Sequence, residues 1–533
     1  MPAISLERAS TVTAGPVRGN ATMWYLLVGL CLVLVAPLML ADVPPLSDYP
    51  NHLARLFVLA FIRTDPVLAR FYVPHWAIIP NLALDLTVPP LLRIFPVHLV
   101  GRAIVGLTLL LPVLGAVAYH RALTGRLSYW PLGSVLFAYN GILLKGFLNF
   151  VASVGLAMML AAAWIAWRDR SPSLAIVIGV LGAVVLFFCH LDGLLLFAIL
   201  IGSHELLVIR TDPIRIDSLR SRVPALVVVS AVPLALYAAS DFDHMPDAAQ
   251  FRSAFDKAHA ALTPLMNYFW SLDLFTAALF VGMLALCLAR RWCAMPLRAV
   301  LAVLVLLVLF IVAPNAFKGG FDIDTRFLVM AAFIVPAALV PVALPRRAAW
   351  TIGIGFLLLF SVRMALLMTL WHDWAGDLAA FRTVIARVQP GDVVLTIRVP
   401  RGAEQNPGTS VATARRLSDG TVVDAHLPAL LLIEHRAWWP FLFDNQSQQP
   451  IETREPFRTL AERIDASPNP IALLASDAPE LRPVTHVLLW GHAPAQTATE
   501  GLKLLAANSE AALFAVERDQ LSGSPPRAPP PGR

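Results

Sequence analysis

Long apolar runs separated by short polar turns fill the first two thirds of the chain. Runs of spanning length fall at 23 to 41, 97 to 119, 128 to 144, 147 to 167, 174 to 190, 193 to 209, 223 to 240, 271 to 289, 297 to 313, 327 to 344 and 348 to 370. About 20 apolar residues cross a bilayer as a helix, so the pattern predicts about eleven transmembrane helices. The segment 81 to 95 is apolar too, but as helix it reaches only about 22 Å against a hydrocarbon core of roughly 30 Å. It also carries Asp85, Pro89, Pro90 and Arg93 and reads as a helix lying on, or dipping into, the membrane surface. After Trp371 the pattern changes. Residues 377 to 388 have helical periodicity, Asp392 to Val399 and Thr485 to Trp490 read as strands, and 502 to 517 as a hairpin turning near Asn508 and Ser509. The fold class expected is an α-helical polytopic membrane protein with a C-terminal soluble α/β domain. Its parts are an N-terminal segment 1 to 22, a transmembrane domain 23 to 370 with a long loop at 42 to 96, a soluble domain 371 to 521, and a Pro-rich disordered tail 522 to 533.

Composition agrees with this reading. The chain has 533 residues, 58% hydrophobic and only 14% charged, with a mean hydropathy of +0.69, far more apolar than a soluble protein. The formal net charge of +6 belongs to topology rather than to a nucleic-acid partner. If 81 to 95 does not span, loops on the N-terminal side hold thirteen arginines: 121, 126, 168, 170, 210, 215, 220, 222, 290, 291, 298, 346 and 347. The opposite short loops hold five basic residues, Lys145, Arg252, Lys257, Lys318 and Arg326. Positive short loops stay in the cytoplasm, which predicts a multi-pass inner-membrane protein with a cytoplasmic N-terminus and an extracytoplasmic C-terminal domain. Cys31, Cys189, Cys287 and Cys293 lack the spacing of a zinc site or a disulfide framework.

On that topology four polar clusters gather outside. In Ser-Asp-Tyr-Pro-Asn-His-Leu-Ala-Arg, residues 47 to 55, Ser47 or Asp48 can cap a helix whose one face carries Asp48, His52 and Arg55 at i, i+4 and i+7. A capping aspartate and a headgroup-anchoring arginine would explain that face equally well. Lys145 and Asn149 sit at a tight hairpin, where a snorkelling lysine is the plainer alternative. His190 and Asp192 sit at another, where a capping aspartate would serve. Residues 314 to 326 set Lys318 and Arg326 with Asp322 and Asp324 around two glycines; the cations suit a phosphate, while Asp-Ile-Asp could hold a divalent cation. There is no Walker loop, GxGxxG, HExxH or GxSxG sequence, so nothing here supports a nucleotide cofactor or zinc-protease or serine-hydrolase chemistry.

The first helix, the Ser47 to Arg55 stretch in a long outer loop, ten further spans and an outer C-terminal domain resemble the GT-C membrane glycosyltransferases, among them protein O-mannosyltransferases, lipid A aminoarabinose transferases and oligosaccharyltransferases. These place an acidic residue in the first outer loop, and Asp48 matches it. The resemblance implies an inverting enzyme that moves a sugar from a polyprenyl-phosphate donor to an envelope glycan, lipid or protein acceptor at the membrane surface. It implies Asp48 as catalytic base with His52 beside it. Arg55, Lys145, His190, Asp192, Lys318 and Arg326 would then bind substrate, the last two at the leaving phosphate. The competing classes are a lipid or solute transporter or flippase, which would need polar groups near the midplane where this chain is apolar, and a scaffold subunit of an envelope-assembly complex.

Overall fold

The computed structural model describes residues 20–212, 214–240, 248–400, 413–467, 473–474, 479–491 and 501–517. The expected disordered tail and most of the N-terminal segment lie outside these residues. The chain enters the membrane region with α1 (Asn20–Val35), extended by a 3-10 turn to Met39. A loop then leads to α2 (Tyr49–Phe61), α3 (Pro66–Phe71), a short strand β1 (Tyr72–Pro74) and α4 (Ala83–Leu92). At ten residues, α4 is far too short to span. Helices α5 (Val97–Thr124), α6 (Gly141–Leu144), α7 (Leu148–Trp167), α8 (Pro172–Cys189), α9 (Leu191–Thr211) and α10 (Arg215–Ala238) follow. After them come α11 (Ala254–Ala260), α12 (Trp270–Ala289), α13 (Leu297–Val312) and α14 (Ile323–Ala338), with the two-residue strands β2 (Cys293–Ala294) and β3 (Val340–Pro341) paired between them. The last long helix is α15 (Arg346–Ile385).

Among the described residues eight helices are long and apolar enough to cross a membrane: the first with its 3-10 extension, α5, α7, α8, α9, α10, α12 and α15. Helices α13 and α14 have 16 residues each. The run 128 to 144 departs from the regular span its hydropathy predicts. It forms a 3-10 helix over Trp130–Phe137, then breaks at Asn140, whose side chain caps α6 by accepting from Leu143 N–H at 3.0 Å. Pro131 opens the 3-10 turn and Asn140 closes it. The irregular backbone is tolerated because Ser134, Leu136, Phe137 and Asn140 are buried in protein.

A second difference is that the span expected at 348 to 370 and the helix expected at 377 to 388 are one element. Helix α15 runs 40 residues, about 60 Å, twice the hydrocarbon thickness, so it passes through the composition change without a break. Its far half is seated by Trp371, Trp374 and Phe381, all buried. Trp374 Nε1 donates to Val43 O at 2.8 Å, which fixes the loop that follows α1.

Beyond α15 the chain forms β4 (Val394–Arg398), α16 (Leu430–His435), β5 (Ile451–Thr453), α17 (Phe457–Asp465), β6 (His486–Trp490), β7 (Leu502–Ala507) and β8 (Ala511–Val516). One sheet has the order β4-β6-β8-β7, with β4 parallel to β6 and the other pairs antiparallel. A parallel pair needs a crossover, which α16 and α17 occupy. The β7–β8 hairpin turns at Asn508 as expected, because its Oδ1 accepts from Glu510 and Ala511 N–H at 2.9 and 3.1 Å. Asn508 Nδ2 donates to Ala380 O at 2.7 Å, docking the hairpin on α15. Strand β5 pairs not with this sheet but with β1, in the loop after α1. The loop 42 to 96 and the C-terminal domain therefore share a sheet and a continuous buried core.

Candidate active site

The loop carrying Asp48 is held by a hairpin from elsewhere in the chain. Ser47 and Asp48 N–H donate to Leu144 and Lys145 O, each at 3.0 Å. So close an approach requires Gly146: a Cβ there would stand 2.8 Å from Asp48 N, and the residue has φ +99°. Asp48 takes the N-cap position of α2, but its side chain makes no capping hydrogen bond. Ser47 does not cap either; its Oγ donates to Val422 O at 3.0 Å. The expected capping role is thus not performed by either side chain, and the Asp48 carboxylate is directed to other company. His426 Nε2 lies 3.6 Å from its Oδ1, while Lys145 and Asp322 act on it through space. Burial pushes Asp48 up to about 7, opposed by the adjacent Ser47 hydroxyl and by the charge of Lys145.

The hairpin lysine does not snorkel. Lys145 Nζ sits 2.8 Å from Asp322 and 3.0 Å from Asp419 of the C-terminal domain. Burial works against its charge, but the two carboxylates outweigh it and hold its pKa above the ordinary value. Asp322 also pairs with Arg252, which reaches Asp324 at 3.4 Å, and Lys257 lies 3.8 Å from Asp324. Both members of Asp-Ile-Asp are therefore engaged by cations. Among the described residues no cluster of three metal-ligating side chains is present; a donor set of two cation-paired carboxylates does not fit a divalent ion.

The third and fourth clusters meet as well. Arg326, buried in the first turn of α14, donates to Asp192 at 2.9 Å and to Phe321 O at 2.7 Å, and its Nη1 lies 3.2 Å from His190 Nε2. The cap of α9 is His190, whose Nδ1 accepts from Asp192 N–H at 3.1 Å. This leaves the Asp192 carboxylate, expected as the cap, for Arg326. Burial takes His190 down to about 4 and keeps it neutral. Lys318 sits at the tip of the same loop with φ +46°, its ammonium 6.0 Å from the Phe317 ring.

Arg55 and Asp42 have partners that local sequence did not show. Arg55 is bidentate to Asp85, Nε to Oδ1 at 2.7 Å and Nη2 to Oδ2 at 3.1 Å; the pair is buried and clamps α4 to α2. Its third nitrogen donates to His52 Nδ1 at 3.1 Å, which fixes the His52 tautomer because arginine can only donate. Burial and the adjacent Arg55 push the His52 ring well below its usual pKa. Asp42 pairs with Arg382 at 2.9 Å, and Arg382 with Glu434 at 2.6 Å. Arg363 is internal, 3.0 Å from Asp273 and 3.2 Å from Thr276 Oγ1.

Sequence reasoning missed Asp419 and His426. Both lie on the loop 413–426 of the C-terminal domain, which is anchored from behind by Arg415. That guanidinium pairs with Asp377 at 2.7 Å, with Asp424 at 2.9 Å and with Glu510. No local motif announces them; they reach Asp48 and Lys145 only through domain docking.

No family model matches the sequence, and no curated protein matches it. Among solved structures, the crystal structure of ArnT from Cupriavidus metallidurans bound to undecaprenyl phosphate superposes with a TM-score of 0.51 over 95% of this chain and 100% of that one, at 12% identity. The chain has the ArnT fold. The polytopic helical fold with a small sheet region toward the C-terminus, expected from the sequence, is thus borne out in three dimensions. On the ArnT-like fold the four polar clusters, scattered over nearly 300 residues of sequence, join as Asp48 beside Lys145, Lys145 on Asp322, and Arg326 on Asp192.

Proposed function

We propose that the chain is a GT-C type membrane glycosyltransferase that takes a sugar from a polyprenyl-phosphate donor and passes it to a hydroxyl of an envelope acceptor. The observation that carries the reading is the Asp48 carboxylate: uncapped, raised to about 7, and set beside Lys145 on the fold of a polyprenyl-phosphate-binding transferase. A base with a pKa near the working pH is what proton removal from an acceptor hydroxyl requires. As the bond from acceptor oxygen to the anomeric carbon forms, the bond from that carbon to the phosphate oxygen breaks. The hydroxyl proton goes to Asp48 and the charge to the departing phosphate. Lys145, Lys318 and Arg326 are the cations assigned to that charge, with His190 and Asp192 orienting Arg326. Arg55 acts on the site through His52, whose tautomer it fixes and whose pKa it lowers in addition to the larger effect of burial.

The test is release of polyprenyl phosphate from a lipid-linked sugar by the purified protein in nanodiscs. Lys318→Ala and Arg326→Ala should raise the donor KM by roughly 10-fold or more, the worth of a hydrogen bond to a charged group. Arg326→Lys should recover only part of it, because an ammonium lacks the guanidinium fork. Unchanged donor affinity and turnover in both alanine variants would make the loop structural.

The reaction is assigned to the outer face of the inner membrane, following the arginine asymmetry. Single cysteines replacing exposed Ile94, Arg126, Arg220 and Gln446 should react with an impermeant maleimide in intact cells only at 94 and 446. Labelling at 126 or 220 would invert the topology.

A further inference from the structure

His426 comes from the C-terminal domain, yet its ring lies in the site. The orientation of the neighbouring Asn51 amide is fixed by the backbone: its Oδ1 accepts from Phe443 N–H at 2.9 Å and its Nδ2 donates to Phe441 O at 2.7 Å. The second hydrogen on Nδ2 then points to His426 Nδ1 at 2.8 Å, so Nδ1 must carry a lone pair. Burial takes the ring down to about 4, so it is neutral, and its one proton resides on Nε2, the atom facing Asp48 Oδ1 at 3.6 Å. Phe443 and Trp439 pack on the ring at 4.9 and 6.0 Å. The other ionisable groups nearby are Lys145 and Asp322 toward Asp48, and His52, with Arg55 behind it, toward His426.

We propose that His426 is a positioning residue for Asp48: locked by Asn51 as the Nε2–H tautomer, it donates to the carboxylate and makes the site complete only when the C-terminal domain is docked. The separation closes to hydrogen-bond length as substrate tightens the site. Asp48 then accepts the hydroxyl proton on the oxygen turned away from the ring, and His426 keeps its own proton throughout. This inference rests on the transferase reading for its consequence, but not for its geometry.

Selective 15N-histidine spectra of the full-length protein in nanodiscs test the geometry, with His426 assigned by its loss in His426→Gln. The expected spectrum has an unprotonated Nδ1 and an Nε2 resonance that shifts with a midpoint near pH 7 and stops shifting in Asp48→Asn. A protonated Nδ1, or an Nε2 signal indifferent to Asp48, overturns the proposal even if transfer is intact. In the transfer assay, His426→Ala should lower kcat with little change in donor KM. It should also move the rising limb of the pH profile upward by about one unit, the equivalent of one net hydrogen bond. His426→Gln, which retains an N–H near the place of Nε2, should restore most of the rate. Equal losses in both variants with an unmoved pH profile would reduce the ring to packing. Coupling in the spectra with no transfer by the wild-type protein would sink the transferase reading instead.

Discussion

Asp48→Asn is expected to leave a folded protein whose sugar transfer falls by roughly 10²-fold or more, the usual contribution of a general base. The substitution is close to isosteric, and the wild-type side chain makes no capping bond to α2 that asparagine could lose. Its backbone N–H bond to Lys145 O is also untouched. The pH dependence gives the sign. With Asp48 at about 7 against the usual 3.8, the ionised base accumulates as pH rises through 7, so kcat/KM should climb between pH 6 and 8. The same shift acts on stability in the opposite direction. The folded state holds this proton more tightly than the unfolded chain, so the stabilisation is complete below pH 3.8 and is lost as pH rises through about 7. Asp48→Asn should flatten that part of the stability profile. A well-folded Asp48→Asn protein with wild-type transfer would remove Asp48 as the base.

Asp85→Ala should be the most destabilising single change outside the membrane-spanning helices. It leaves Arg55, 3% exposed, as a buried charge without its bidentate partner, a loss of about 3–5 kcal/mol. Because Arg55 also fixes His52, transfer should fall with stability. The paired replacement Arg55→Met with Asp85→Leu removes both charges at similar volume and should recover most of the thermal stability. Thermal unfolding of the three proteins in one detergent separates the outcomes. A single mutant as stable as wild type would mean that α4 is not clamped through this pair.

The architecture was legible because bilayer thickness imposes a length scale on the sequence: α5, α7, α8, α9 and α12 fall within a few residues of their hydropathy runs. Where the reading failed, tertiary contacts overrode a local signal. Residues 130 to 144 are apolar enough for a span, but Pro131 and Asn140 break the helix, and the surrounding protein supplies the partners that lipid could not. The continuity of α15 was hidden by a change in composition, since a helix leaving the bilayer changes its side chains without changing its backbone. The polar clusters were visible as ionisable residues at the ends of apolar runs. Their pairings were not: Lys145 with Asp322, Arg326 with Asp192 and Arg55 with Asp85 join segments 30 to 177 residues apart. Asp419 and His426 lay further still from any signal, because a soluble-domain loop gives no local hint that it will close over a membrane-surface carboxylate.

The most direct measurement of the central claim is mass spectrometry of lipid-linked sugars in cells from which the chain has been deleted. A polyprenyl-phosphate sugar should accumulate, fall back when the wild-type chain is restored, and persist when Asp48→Asn is restored at equal abundance. Unchanged lipid-linked sugars and unchanged surface glycans in the deletion strain would contradict a glycosyltransferase and favour a transporter on the same fold.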